Sequence, residues 1–504
     1  MDISNTIPPA VDPGSGVPVY LQIAEQIAKD IREGRIAPRT KLPPERQLAL
    51  SCGVSRTTAI NAYRKLEEWG LVRMRMGSGT YVDPDSGETE APPMPWDQIL
   101  VPRQRTPLSG ILRELVSEDI SGRTISLSTG MPDPSLYPTE AFTEMPGRWD
   151  PRAVSFDLGH IPTEGYPPLR KILAAHHERS GVATTANNIA VVSGSQQGLY
   201  LLADILIRPG DFVVVESPTF LGALPVFQAA GARILTLPAP GPLQLDLLED
   251  YLVRYRPKLL YIMPSFQNPS GRVLTPAERE ALLALAVRFR LAIIEDDPYG
   301  ELYYGAPPPP SLWSLDRHDC VIRLGTFSKI LFPGLRTGWV AGPEAVIDRL
   351  ALKKQLVDLH SANLSQLQLA EFLAEGRLDD HLDSVRAEYR KRRDASASAL
   401  RKWCAGLTFS EPSGGFYFWC SMKGRTASSR QLLQEAIRQG VSFVPGEAFY
   451  PNSEWSPEFR LCFAAHAENN LREGIRRLGK ALSLMDRNAT GLSRPALHSL
   501  QPII

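Results

Sequence analysis

The sequence is poor in cysteine, has no long apolar run and carries no net charge, and each shortage removes a class of protein. The five cysteines, Cys52, Cys320, Cys404, Cys420 and Cys462, are odd in number and far apart, so no disulfide framework is expected and a reducing, cytoplasmic setting is. No stretch approaches the roughly 20 apolar residues of a membrane span. The opening MDISNTIPPAVDPGSG lacks the apolar core of a signal peptide, so no membrane partner is expected. Only His176 and His177 adjoin among scattered histidines. Without further ligands at metal spacing they read as ordinary helix-surface residues, and no metal site is expected. Basic and acidic side chains balance at 55 each, so no global field draws nucleic acid and any DNA contact must be local.

At 504 residues the chain exceeds one core, and its pattern changes along its length. Residues 1–16, rich in Pro, Gly and Asp, read as a flexible arm. In 17–83, Val19, Ile23, Ile27 and Ile31 recur every four positions and mark an amphipathic helix. Pro43-Pro44 then precedes ERQLALSCGV, and SRTTAINAYRKLEEWG opens on Ser55, a good N-cap, and closes at Gly70. LVRMRMGSGTYV reads as two short strands about a Gly-Ser-Gly turn. Val17–Val82 holds eleven Lys or Arg against six Asp or Glu, so the remainder carries an equal acidic excess. That asymmetry is expected where one domain alone meets DNA.

Residues 84–124 are acidic and proline-bearing and read as a linker, with Ile111–Ile120 a short helix inside it. From 125 to 487, apolar runs at 189–194, 212–218, 232–238, 259–266, 291–297 and 321–327 alternate with helical segments. This predicts an α/β fold with a mostly parallel sheet covered on both faces and its site beyond the strands' carboxyl ends. GGFYFW (414–419) and FRLCFAA (459–465) read as strands of a smaller α+β terminal subdomain. Residues 488–504 read as a disordered tail.

Chemistry-bearing residues cluster in two places. Ser55, Arg56, Thr57 and Thr58 put hydroxyls, a guanidinium and helix N-terminal amides together, a set suited to phosphates and base edges. Arg46 precedes them by one short helix, and Arg73, Arg75 and Gly77 lie in the wing, where glycine allows close backbone approach. A winged domain used for protein contacts would show the same solvated arginines.

In the larger region, Ser193-Gly194-Ser195-Gln196 follows a strand and starts a helix, the layout of a phosphate cradle. Phe220 can lie against a planar ring or belong to the core. Asn268, Asp296 and Tyr299 sit at or just after apolar strands, where a carboxylate can keep a ring nitrogen protonated; each could instead cap a loop. In GTFSKILFPGLRTGWVAG, Ser328 precedes Lys329 and Arg336 follows seven residues later. A buried lysine there is a nucleophile toward an aldehyde, whereas a surface turn would not need the flanking apolar strand.

PVYLQIAEQIAKDIREG, KLPPERQLALSCGVSRTTAINAYRKLEEWGLV and GSGTYV resemble the winged helix-turn-helix of the GntR family. TFSKILFPGLRTGW, QNPSG, EDDPY and GGFYFW resemble fold-type I pyridoxal-phosphate enzymes of the aspartate and 2-aminoadipate aminotransferase group. Joined in this order, the two resemble the MocR subfamily of GntR regulators. The resemblance implies a homodimer, head-to-tail, binding a double-stranded DNA operator through Arg46, Arg56, Thr57, Thr58 and Gly77. It implies pyridoxal 5′-phosphate on Lys329 as a Schiff base, with Asp296 on the ring nitrogen, Asn268 and Tyr299 at the ring hydroxyl, and Phe220 stacked. Ser195, Gln196, Ser328 and Arg336 would hold the phosphate, and Arg460 the carboxylate of an amino acid or amine effector. One departure is His160, in HIPTEGYPPLR, where these enzymes carry a tyrosine lent to the partner's phosphate site. The function implied is a cofactor-dependent transcriptional regulator; the alternative is an active aminotransferase with an accessory DNA-binding domain.

Overall fold

The computed structural model describes residues 11–12, 14–75, 78–84, 94, 96–100 and 124–489, apart from 180, 423, 425, 453 and 454. Gly77, the Ile111–Ile120 segment, most of the N-terminal arm and residues 490–504 lie outside the described residues. The chain divides into two units, Met1–Gln104 and Arg105–Ile504.

In the first unit, α1 (Val19–Arg32) buries Ile23, Ala24, Ile27, Ala28 and Ile31 on one stripe. Helix α2 (Glu45–Ser51) and helix α3 (Arg56–Glu68) follow, separated by a turn with Gly53 in the left-handed region (φ 63°). Ser55 caps α3 by accepting from the Thr58 amide at 3.2 Å, as its sequence position predicts. Strands β1 (Val72–Arg75) and β2 (Gly79–Val82) pair antiparallel to form the wing. The core gathers α1, Leu48, Ala59, Ala62, Tyr63, Leu66, Val72 and Val82. Tyr63 buries its ring and donates to Pro43 O at 2.7 Å, tying α3 to the chain ahead of α2.

The second unit starts with β3 (Ile125–Ser126) and is dominated by a seven-stranded sheet. Its strands are β4 (Ile189–Val192), β5 (Phe212–Ser217), β6 (Arg233–Pro238), β7 (Leu259–Ile262), β8 (Ala292–Asp296), β9 (Val321–Thr326) and β10 (Gly338–Ala341). Spatial order is β4-β10-β9-β8-β7-β5-β6, parallel from β9 to β6, with β10 antiparallel to both its neighbours. Every residue of β4, β7 and β10 is buried, which explains the uninterrupted apolar runs. The antiparallel β10, within TGWVAG, is an addition to the strands read from sequence.

Helix α4 (Pro167–Arg179) precedes the sheet, and α5 (Ser195–Leu206) follows β4 directly. Beyond the sheet come α6 (Glu344–Asp358), α7 (Asn363–Ala374) and α8 (Arg377–Trp403). Strands β11 (Thr408–Phe409), β12 (Tyr417–Ser421), β14 (Val444–Pro445) and β15 (Glu458–Cys462) form a second, antiparallel sheet; β13 (Val441–Ser442) pairs with β3 instead. Helix α9 (Glu468–Ala489) closes the described chain.

His177 overturns its sequence reading. It is 3% exposed, edge-on to Trp313 and Trp339. Successive helix positions diverge by about 100°, so of two adjacent histidines one turns inward.

Candidate functional sites

Helix α3 presents Arg56 and Thr57 to solvent, with Thr58 half-buried and hydrogen-bonded to the Ser55 hydroxyl at 2.8 Å. Arg46 is exposed on α2, and Arg56 pairs with Glu45 at 3.2 Å, which fixes the guanidinium against the neighbouring helix. Asn61 and Arg64 lie four and seven residues beyond Thr57, on the same face of α3, neither of them buried. Sequence reading missed both, although the helical repeat was there to use. In the wing, Arg73 pairs with Asp83, so it is less available than its sequence position implies. Arg75 and Lys41 flank the Tyr81 ring at 5.5 and 5.7 Å.

The second site is a cavity of about 390 Å³ at the carboxyl ends of the parallel strands. Ser195, Gln196, Phe220, Asn268, Asp296, Tyr299, Ser328, Lys329, Arg336 and Arg460 all line it. His160 does not. It lies exposed, edge-on to His360 at 5.4 Å.

Each wall follows from a strand end. Strand β8 ends at Asp296, whose Oδ2 accepts from the Tyr261 hydroxyl at 2.6 Å while Oδ1 is buried and unpartnered. Burial pushes the Asp296 carboxyl up to about 7, opposed first by the Tyr261 bond. Past β9, Lys329 donates from Nζ to Gly130 O at 2.6 Å, and burial, aided by Arg460 and Arg336, lowers its ammonium to about 8. Past β4, Gly194 (φ 87°) leads into α5, so the start of α5, with Ser195 and Gln196, borders the cavity near Arg336. Arg336 donates to Ser193 O at 2.9 Å, and Gln196 to Gly222 O at 2.9 Å. Two glycines keep this cradle open. A Cβ on Gly338 would stand 2.8 Å from the Ser195 nitrogen, and one on Gly222 2.6 Å from the Phe220 ring.

Arg460, on β15, donates from Nη1 to Asn268 Oδ1 at 3.0 Å and from Nη2 to Ser128 O at 2.8 Å, and lies over the Tyr417 ring at 4.1 Å. Tyr417 and Tyr299 join their hydroxyls at 2.8 Å. Sequence reading missed Tyr261, Tyr417 and the Ser128–Met131 segment. Their signal is spatial: Tyr261 matters because β7 lies beside β8, and Gly130 because its carbonyl meets Lys329 across 199 positions.

A winged helix-turn-helix followed by a fold-type I aminotransferase unit defines a two-part class of bacterial proteins. The pattern of "Bacterial regulatory proteins, gntR family" matches residues 19–82, and that of "Aminotransferase class I and II" matches residues 157–478. The chain belongs to the GntR family, in its MocR-type branch, and its larger unit is a class I and II aminotransferase domain. It is 33% identical over 92% of its length to the uncharacterised HTH-type transcriptional regulator YisV of Bacillus subtilis, covering 95% of that protein. It is 36% identical over 77% of its length to 2-aminoadipate transaminase of Thermus thermophilus, covering 98% of that enzyme. The solved structure of LysN, the α-aminoadipate aminotransferase of Thermus thermophilus complexed with N-(5′-phosphopyridoxyl)-L-leucine, matches 78% of this chain and 99% of its own. Its TM-score is 0.71 at 34% identity.

Pyridoxal phosphate is the cofactor this fold implies, and the residues fit it. The buried, unpartnered Asp296 Oδ1 offers an acceptor for a protonated ring nitrogen. The helix start, Ser195, Ser328 and Arg336 supply donors of the kind a phosphate needs. No helix among the described residues is long and apolar enough to cross a membrane, and no metal-binding group of His, Cys, Asp or Glu occurs among them.

Proposed function

We propose that this chain is a pyridoxal-phosphate-dependent transcriptional regulator that senses an amino acid or amine and binds a double-stranded DNA operator. One observation carries the reading: the residues expected to hold the cofactor, His160 apart, line one cavity on the same chain as a separate winged helix-turn-helix that presents basic and polar side chains on α3.

Bound in the cavity, the cofactor supplies an electrophilic carbon that exchanges amine partners and a ring that withdraws electrons. Asp296 Oδ1 would accept a hydrogen bond from the protonated ring nitrogen, and Tyr261 holds that carboxylate in place. Lys329, its ammonium lowered to about 8 by burial, becomes a neutral amine as pH rises through about 8, far below where an exposed lysine does. Ser195, Gln196, Ser328 and Arg336 would hold the phosphate, Asn268 and Tyr299 would orient the ring, and Phe220 would cover its face. Arg460, already aimed by Asn268 and Ser128 O, receives the effector's carboxylate. An effector that engages Arg460 would shift operator affinity to the extent that it binds one state of the domain better than another.

The same reading has the chain acting in the cytoplasm as a homodimer, head-to-tail. Leu352, Leu356, Val357, Leu359 and Leu364 form an exposed apolar ridge across the end of α6 and start of α7, with Leu356 81% exposed. A second copy is the natural cover for such a ridge. His160 then belongs to the partner's phosphate site, where imidazole replaces the phenol of the enzymes. Base contacts are assigned to Thr57, Thr58, Asn61 and Arg64, and backbone contacts to Arg46, Arg56 and Gly77.

The full set of Lys329, Asp296 and Arg460 also favours a second reading, an active aminotransferase with a DNA-binding accessory. Absorbance titration with amino acids, paired with keto-acid measurement, separates the two. A regulator changes its spectrum at equilibrium without sustained turnover; an enzyme accumulates keto acid over many cycles.

A further inference from the structure

A second cavity, of about 150 Å³, adjoins the first. Thr326 and Pro298 line both cavities. Its floor holds two buried polar atoms with no hydrogen-bond partner, His177 Nε2 and Arg323 Nε, and the indole of Trp339 lies near both side chains, at 4.5 Å from the His177 ring and 5.6 Å from Arg323 Cζ. Leaving such buried groups without a partner is unfavourable unless something meets them. At this volume a cavity holds one benzene-sized molecule.

Charge and lining narrow what fits. Arg323 already faces Asp297 at 2.7 Å, so its charge is compensated while its Nε–H is not. Burial, together with Arg323 and His176, holds the His177 imidazole well below its usual range, so it is neutral. Toward the outside stand Glu301 and Asp379, giving an acidic mouth; Glu301 also pairs with Arg386 and lies 3.9 Å from His176. Ile172, Leu373 and Leu378 add aliphatic lining.

We propose that this cavity is a second small-molecule site, taking a methylated ammonium alcohol: the cationic head at the acidic mouth, the methyls on the aliphatic lining, and the hydroxyl accepting from Arg323 Nε while sharing a hydrogen bond with His177 Nε2. A methylated ammonium needs no hydrogen-bond partner, which suits the aliphatic lining, and a hydroxyl both accepts and donates, so it can meet the Arg323 N–H and the neutral His177 ring in either tautomer. Because Asp297 follows Asp296 directly and Thr326 leads to Ser328, occupancy bears on the cofactor's ring and phosphate contacts. The binding stands by itself; its transmission to DNA rests on the regulator reading.

The probe is choline, which cannot form a Schiff base and so is blind to Lys329. Calorimetric titration of the full-length, cofactor-loaded protein is expected to show one saturable site. Ethyltrimethylammonium, lacking the hydroxyl, binds about tenfold more weakly. His177→Phe removes the ring nitrogens and narrows that difference, and Leu373→Trp, which narrows the cavity near its mouth, abolishes choline binding while the visible absorbance of the bound cofactor persists. Absence of saturable choline binding, equal affinity for the two cations, or full binding in Leu373→Trp would overturn the site. Binding without any change in operator affinity would leave the site standing and count against its coupling to regulation.

Discussion

Arg460 and Asn268 are joined across 192 positions of sequence by a 3.0 Å hydrogen bond, so the residue assigned to the effector's carboxylate is aimed by the residue assigned to the cofactor's ring. On that assignment the two ligands would share one polar floor. Replacing Arg460 with Met keeps bulk and removes the fork. The response to amino acids is expected to fall by about 2 kcal/mol or more in apparent affinity, roughly thirtyfold, with cofactor still bound. Titration by absorbance checks it; an unchanged response would place the carboxylate elsewhere.

Asp296 and Tyr261 give a graded pair. Asp296→Ala removes the acceptor for the ring nitrogen and is expected to lower cofactor affinity at least tenfold, or about 1.4 kcal/mol. Tyr261→Phe leaves the carboxylate without its 2.6 Å partner and is expected to cost less, on the order of 1 kcal/mol. Equilibrium dialysis against pyridoxal phosphate ranks them, and the reverse order would contradict the assignment.

Lys329 sets a pH dependence. Its ammonium is lowered from 10.5 to about 8, so the neutral, nucleophilic amine gains as pH rises through about 8. The rate of cofactor capture by the cofactor-free protein is expected to rise over that interval and level off above it. Between about 8 and 10.5 the unfolded chain binds more protons than the folded one at this site, so this group's contribution to stability also rises with pH there. Stopped-flow absorbance across pH reads the first effect; a midpoint near 10.5 would mean Lys329 is solvated.

Gly338→Ala puts a methyl 2.8 Å from the Ser195 nitrogen and the Gly325 carbonyl, both backbone atoms with little room to move. Cofactor affinity is expected to drop severalfold, with a stability cost of about 1–3 kcal/mol from overpacking. Thermal melts with and without cofactor separate the two effects, and a variant indistinguishable from wild type in both would contradict the cradle.

On the DNA side, Arg56→Ala is expected to weaken all duplexes alike and to reduce the salt slope by about 0.9 if one phosphate contact is lost. Asn61→Ala is expected to relax preference at one base pair by about 1–3 kcal/mol with the slope unchanged. Binding isotherms at several salt concentrations decide, and a changed slope in Asn61→Ala would move that residue to the backbone.

How much of this was legible in the sequence depended on range. Lys329, Asp296 and Asn268 stood out because each punctuates an apolar run, and a parallel sheet gathers such ends on one edge. Ser55 declared itself through capping chemistry that is local. Tyr261 did not: its role comes from β7 lying against β8, a pairing no local pattern states. Strand β10 hid in TGWVAG because it is four residues long and begins at a glycine. His177 was misread because its burial depends on Trp313 and Trp339, which arrive from distant elements.

Operator affinity as a function of effector, in the wild type and in Lys329→Ala, tests the central claim most directly. The duplex is one the protein selects from a random pool, and both proteins are supplied with pyridoxal phosphate. The account predicts similar basal affinity, with an amino acid or amine shifting the wild type and leaving Lys329→Ala unmoved. An equal shift in both proteins would contradict it, as would a wild type that responds to no amine yet turns amino acids into keto acids over many cycles.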